Sequence, residues 1–173
     1  MNRCGWCEGS ELYINYHDTE WGVPVFDDQK HFEFLVLESA QAGLSWLTVL
    51  KKRENYHRAY DGFDPQKAAR YTEKKKEKLL ADPGIIRNRL KIEASITNAR
   101  EFLKIQREFG SFSRYIWGFT GHKPLTGRWK SSAELPTRIE ETIHSALTII
   151  PTKMYFPIKK DTFLYKLKIF CGI

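Results

Sequence analysis

An all-α fold is what this sequence predicts, on three observations. Apolar residues recur at helical spacing through Phe32–Tyr56, FEFLVLESAQAGLSWLTVLKKRENY. The basic segment YTEKKKEKLLADPGIIRNRLKIEASITNAREFLKIQREFG divides into helix, hairpin and helix. In the N-terminal stretch, Tyr13, Tyr16 and His17 fall at i, i+3, i+4 and would share one helix face. At 173 residues the chain is long enough for one hydrophobic core, and it shows no repeat, low-complexity tract or interdomain linker. A single unit spanning 1–173 is expected.

Residues 1–26 are dense in groups that stack, ligate or hydrogen-bond, with Gly5, Gly9, Gly22 and Pro24 marking turns and a short helix at Glu11 to His17. The central helix starts with Asp27 or Asp28 as N-cap. It buries Phe32, Leu35, Val36 and Ser39 on one face, with Phe34, Leu37 and Gln41 beside it. Gly43 ends it, and Ser45 caps a second helix carrying Trp46, Leu47, Val49 and Leu50 before Lys51, Lys52 and Arg53. Glu38 is the oddity of this hairpin. No other charged residue lies from Phe34 through Leu50, and a lone carboxylate in an apolar run is costly to bury without a partner.

Asp61 to Pro65 reads as a turn and Lys74 to Leu80 as a helix that Asp82-Pro83-Gly84 breaks. Ile85, Ile86, Leu90, Ile92 and Ile96 then start another helix, with Arg87, Arg89 and Lys91 exposed. A glycine in so tight a turn lets backbone N–H groups approach a phosphate; an ordinary corner of an all-α domain is the alternative. Phe112, Tyr115, Ile116, Trp117 and Phe119 form an aromatic cluster read as core. Gly118 to Pro136 reads as a loop and Arg138 to Ile149 as a helix, while the last stretch, with Pro151 and Pro157, has no single period.

Charge divides the chain. Residues 1–50 hold two Lys/Arg against eight Asp/Glu, and residues 51–173 hold 26 against 13, for a net +7. A basic surface suits a polyanion by release of condensed counterions, although a solvated Lys-rich helix face gives the same count. Cys4, Cys7 and Cys171 are too few and too unevenly spaced for a disulfide framework, which favours a reduced, cytoplasmic protein. No apolar leader and no apolar run near the ~20 residues of a membrane span is present, so no membrane association is expected.

The motifs CGW, LYxxYHDxEWGVP, ESAQAGLSWLTVLKKRENY and DPGIIRNRLKI resemble the 3-methyladenine DNA glycosylase I family over roughly residues 1–120. The resemblance implies an all-helical fold of the helix-hairpin-helix glycosylase superfamily. It also implies a monofunctional enzyme, expected to be monomeric, that excises 3-methyladenine from alkylated double-stranded DNA in base excision repair. Carried over by position, it puts Glu38 at the floor of the base pocket as the catalytic group. Tyr16 and Trp46 would stack on the lesion, with Tyr13, Trp6 and Trp21 around it. Gly43 and Leu44 would wedge into the vacated stack, and Pro83, Gly84 and Ile85 would grip DNA with Arg87, Arg89 and Lys91 beside them. The catalytic Asp that other members of the superfamily place after the hairpin is missing from this family and from this chain, where Lys91-Ile92-Glu93 is followed by apolar and amide residues.

The same resemblance implies a Cys-His-His-Cys zinc site. Cys4 and His17 match its first two ligands, whereas the Asn-Asp-His segment and later Cys that supply the others have no counterpart in this sequence. Three readings stand: a shortened chain without zinc, a substitute Cys4, Cys7, His17, Cys171 site, or an interrupted reading frame that replaced the tail. A divergent or truncated tail would give a different function class, a damaged-DNA-binding or inactive relative with an impaired C-terminus.

Overall fold

The computed structural model describes the backbone of residues 3–126 and 170–171 and the side chains of residues 3–124. A 3-10 turn at Gly5–Cys7 precedes α1 (Glu11–Thr19), α2 (Asp28–Gln41), α3 (Trp46–Leu50), α4 (Arg53–Ala59), α5 (Pro65–Ala68), α6 (Glu73–Ala81), α7 (Arg89–Phe109) and α8 (Phe112–Gly118). Among the described residues the fold is all-helical apart from one two-residue parallel pairing, Leu125–Thr126 (β1) with Phe170–Cys171 (β2). The helix expected at Arg138 to Ile149 lies outside the described residues.

Helix α2 runs through the core. Nine of its residues are buried, from His31 through Ala40 with Glu33 the exception, so the run FLVLESA has no solvent face. Asp27 caps it, its carboxylate accepting the Lys30 N–H at 2.7 Å. At the other end Ala42 leaves the helix, Gly43 takes φ +76°, and Ser45 caps α3 by accepting the Thr48 N–H at 3.1 Å. These are the boundaries that the sequence predicts. The imidazole of His31 is fully buried one turn into α2, and burial lowers its pKa to about 4, against partial compensation from the Asp28 charge.

Helix α7 lays Ile92, Ile96, Ala99, Phe102 and Ile105 along one face against α2, α5 and α8. Phe102 stacks on Phe112 with ring centroids 4.2 Å apart and meets Phe32 edge-on at 5.5 Å. Gly110, at φ +85°, ends α7. The Asp28 carboxylate, in the first turn of α2, accepts N–H bonds from Phe112 (2.8 Å) and Ser113 (2.7 Å) and from the Gln106 amide (2.6 Å). One acid therefore satisfies the open donors of α8 from across the fold. Of the aromatic cluster expected in the core, Phe112, Ile116 and Trp117 are buried, and Tyr115 and Phe119 pack at its margin.

The start of α7 corrects the sequence reading. Periodicity began this helix at Ile85, but it begins at Arg89, with Asn88 as N-cap accepting the Lys91 N–H at 3.1 Å. The Ile86 N–H instead donates to the Tyr56 hydroxyl at 3.1 Å, a tertiary partner that keeps Ile85 and Ile86 in the hairpin. Leu90, expected on the apolar face, is 66% exposed, because the helix turns by about 200° between it and the buried Ile92.

Candidate active site

The residues of the expected pocket meet where α1, α2 and α3 converge with the N-terminal turn. Glu38 is 1% exposed on α2. Its charge bears on the Tyr16 phenol, which burial pushes well above its ordinary pKa, with Glu38 and then Glu20 adding to the shift. Tyr16 in turn faces Trp46, ring centroids 5.6 Å apart at 58°. Trp6, 40% exposed, lies across the mouth, 5.3 Å from Tyr13 and 5.5 Å from Trp21, both edge-on, and 6.5 Å from Tyr16. Trp21 stacks on His17 at 5.4 Å. Five rings and one buried carboxylate thus come together from positions 6 to 46.

Tyr13 has a further contact. Its hydroxyl accepts the Leu47 N–H at 2.9 Å, satisfying an open donor in the first turn of α3 and tying α1 to the residue after Trp46. A second brace went unseen in the sequence. The Arg53 guanidinium, from α4, makes two bonds to Glu20 at 2.6 and 2.9 Å and one to Glu33 at 2.6 Å, while Lys30 adds contacts at 3.3 and 2.9 Å to the same two acids. Burial alone would lower the Arg53 pKa, but Glu20 and Glu33 outweigh it and raise it. Glu20 follows the last residue of α1 and Glu33 lies in α2, so this cluster locks the Tyr16–Trp21 side of the pocket to the helix that carries Glu38. A charge cluster gathered from positions 20, 30, 33 and 53 has no local pattern by which the sequence would announce it.

At the hairpin, the Gly84 N–H donates to the Asp82 carboxylate at 2.7 Å, and the Pro83 carbonyl accepts from the Lys52 ammonium at 2.9 Å. A Cβ on Gly84 would stand 2.9 Å from Asp82 Oδ1 and 3.0 Å from Asn55, so any side chain here would crowd the turn. Pro83 is exposed and Ile85 buried. Of the three basic residues, Arg87 is exposed, whereas Arg89 pairs with Glu77 at 2.7 Å. Lys91 was expected to be exposed and is not. Its ammonium is half-buried, donating to the carbonyls of Ala40 (2.8 Å) and Ala42 (2.7 Å), because the C-terminus of α2 presents unpaired acceptors within its reach. Gly43 and Leu44 stand beyond those carbonyls on the turn between α2 and α3, both exposed.

Cys4 and His17 are neighbours, but the described donors around them do not make up a zinc site. Among the described residues no group of three or more His, Cys, Asp or Glu side chains is placed to hold a metal ion. The Cys4 N–H donates to His17 Nε2 at 3.4 Å, and His17 Nδ1 bonds Asp18 at 2.9 Å. Asp18 is clamped by Arg3 at 2.8–3.1 Å, and Arg3 with His17 holds its carboxyl down at about 2. The Cys7 thiol donates to the Cys4 carbonyl at 3.0 Å, and burial pushes the Cys4 thiol up. Cys171 enters this picture by backbone alone, opposite Thr126, since its side chain lies outside the described residues.

Comparison with known proteins gives this geometry a lineage. The sequence profile of the methyladenine glycosylase family matches residues 6–150. The chain belongs to that family. Among the relatives of this methyladenine glycosylase, the Escherichia coli K12 DNA-3-methyladenine glycosylase 1 is 43% identical over 173 residues, covering all of this chain and 91% of its own length. The Haemophilus influenzae DNA-3-methyladenine glycosylase is 42% identical over 163 residues, covering 94% and 87%. A structure of 3-methyladenine DNA glycosylase I from Staphylococcus aureus, solved for the basis of 3-methyladenine recognition, superposes with a TM-score of 0.89 at 33% identity, covering 98% and 92%. No described helix of this methyladenine glycosylase is long and apolar enough to cross a membrane.

Proposed function

We propose that this chain is a monofunctional DNA glycosylase that removes 3-methyladenine from duplex DNA, with Glu38 and the surrounding rings as the base pocket. The observation that carries the assignment of the pocket is the buried Glu38 carboxylate beside Tyr16, which faces Trp46. A base inside a duplex is reached by flipping it out, and an aromatic enclosure is what receives a flipped base. 3-Methyladenine in the nucleotide is a cation, so ring faces attract it by cation–π contact worth about 0.5–2 kcal/mol, and a carboxylate accepts its hydrogen bonds as a charge-assisted partner. Normal adenine, neutral, loses the cation–π term and the charge attraction to the carboxylate.

The cationic base is already a good leaving group. The protein then has to orient water and stabilise an oxocarbenium-like sugar, which accords with the absence of an acid at the position after the hairpin, where Glu93 is instead turned to Lys76 and Arg89 at 4.0 Å. Gly43 and Leu44 serve as the wedge that holds the stack open, and the Pro83–Ile85 hairpin with Arg87 docks the DNA backbone. The free thiols of Cys4 and Cys7 accord with a cytoplasmic enzyme.

Release of free 3-methyladenine from methylated duplex DNA by the purified chain tests this reading. Turnover at the methylated base with none at normal adenine is expected. Tight binding of methylated duplex without release would instead make it a damage-binding relative.

A further inference from the structure

Lys91 stands in the first turn of α7, directly behind the hairpin, yet its ammonium reaches 51 residues back along the chain to the end of α2. The last four carbonyls of a helix have no intrahelical partner. At α2, the Lys91 ammonium donates to those of Ala40 and Ala42, while the Leu44 N–H donates to Gln41 at 2.6 Å. A cation at this position also opposes the negative end of the helix dipole. Two of its three donors are thereby engaged within the protein, and burial lowers its pKa. The Lys91 N–H is itself held by Asn88, so the side chain departs from a fixed backbone. Beyond the carbonyls it holds, Gly43 has open space where a Cβ would be and Leu44 is 39% exposed.

We propose that Lys91 is a positioning residue that fixes the Gly43–Leu44 turn relative to the DNA-gripping hairpin, so that docking of the DNA backbone delivers Leu44 to the base stack, and that it contacts no phosphate. This rests on the reading of Gly43–Leu44 as the wedge. The hairpin and the wedge come from segments some forty residues apart in sequence. Lys91 is a direct side-chain tie between the helix that leaves the first and the turn that forms the second.

Three variants, compared with the parent, test it: Lys91→Met, Lys91→Arg and Leu44→Ala. The readouts are single-turnover release of 3-methyladenine and fluorescence of 2-aminopurine beside a tetrahydrofuran abasic analogue in a duplex. Affinity for free 3-methyladenine, and for undamaged duplex across salt, complete the set. Loss of two charged hydrogen bonds at the wedge should lower release by Lys91→Met about 10- to 100-fold and diminish the fluorescence rise. Its free-base affinity should stay within about twofold and its salt slope should match the parent's, because neither the pocket nor a phosphate contact is removed. Lys91→Arg should restore most of both losses, since a guanidinium donates to the same carbonyls.

A salt slope smaller by about one with free-base affinity intact would make Lys91 a phosphate ligand and overturn the proposal. Parent-like release and fluorescence in Lys91→Met, with Leu44→Ala impaired, would overturn it while sparing the wedge. A parent-like Leu44→Ala would instead remove the wedge reading beneath it. Should Lys91→Met fail to fold, Lys91→Gln, uncharged but still a donor, decides by the same readouts.

Discussion

The pocket and the hairpin solve opposite problems with their polar groups. Around Glu38 the acid is buried, and the surrounding rings are braced from behind by Arg53 with Glu20 and Glu33 and by the Tyr13 hydroxyl on Leu47. At the hairpin the basic side chains lie near solvent, yet Lys52, Arg89 and Lys91 each bind an acceptor of the protein itself. A count of Lys and Arg therefore overstates the charge available to DNA; Arg87 and Arg89 are exposed, and Arg89 is already paired with Glu77. The pocket should answer to pH and to side-chain shape. The hairpin should answer to salt.

The largest expected effect comes from His31, on the same helix as Glu38. Its folded pKa of about 4 lies below the unfolded 6.5, so the unfolded chain binds a proton that the native state refuses. Stability from this group is complete above pH 6.5 and is lost as pH falls through 4, by about 3 kcal/mol. Urea unfolding at several pH values should show that slope, and His31→Leu should flatten it; an equal slope in the variant would place acid lability elsewhere. Next, Glu38→Gln should retain the fold but lower 3-methyladenine release about 10- to 100-fold, since the amide keeps size and loses a charge-assisted bond of about 1.5–3 kcal/mol. Parent-like release at both saturating and subsaturating DNA would sink the catalytic role.

Tyr13→Phe is a finer probe of the brace. It removes the hydroxyl on the Leu47 N–H and should cost about 1 kcal/mol of stability, with weaker binding of free 3-methyladenine through a displaced Trp46. Titration of the free base into the variant, followed by Trp fluorescence, reads this directly. Smallest is Arg87→Ala, which should leave free-base affinity unchanged and reduce the salt slope of duplex binding by about 0.9. Were Arg89→Ala to reduce it more, its pairing with Glu77 would have to be replaced by DNA on binding, and the contrast between the two regions would weaken.

Much of the geometry of the candidate pocket was legible because its signals are local. A single carboxylate between Phe34 and Leu50, caps at Asp27 and Ser45, and rings at helical spacing in α1 each depend on neighbours within one or two turns. What escaped the sequence is what depends on distant partners. Ile86 joins the hairpin because Tyr56, 30 residues away, accepts its N–H, and this delays α7 to Asn88. Lys91 fits an exposed basic pattern as well as any lysine, and periodicity does not record that four methylenes carry its ammonium back to Ala40. The ion cluster at Arg53 joins four positions on three segments, none of them remarkable in its own window.

Asp28 has a consequence for the order in which the chain assembles. Its carboxylate closes a loop of 84 residues to Phe112, and closure of a long loop costs entropy that local helix formation does not. Once α2 and α7 have packed, most of that closure is already made, so the start of α8 is expected to gain its acceptor after them. Mutation to Asn should then accelerate unfolding and leave the refolding limb of the chevron almost unmoved, so that the acid acts as a latch closed after the transition state and slows the native state's escape.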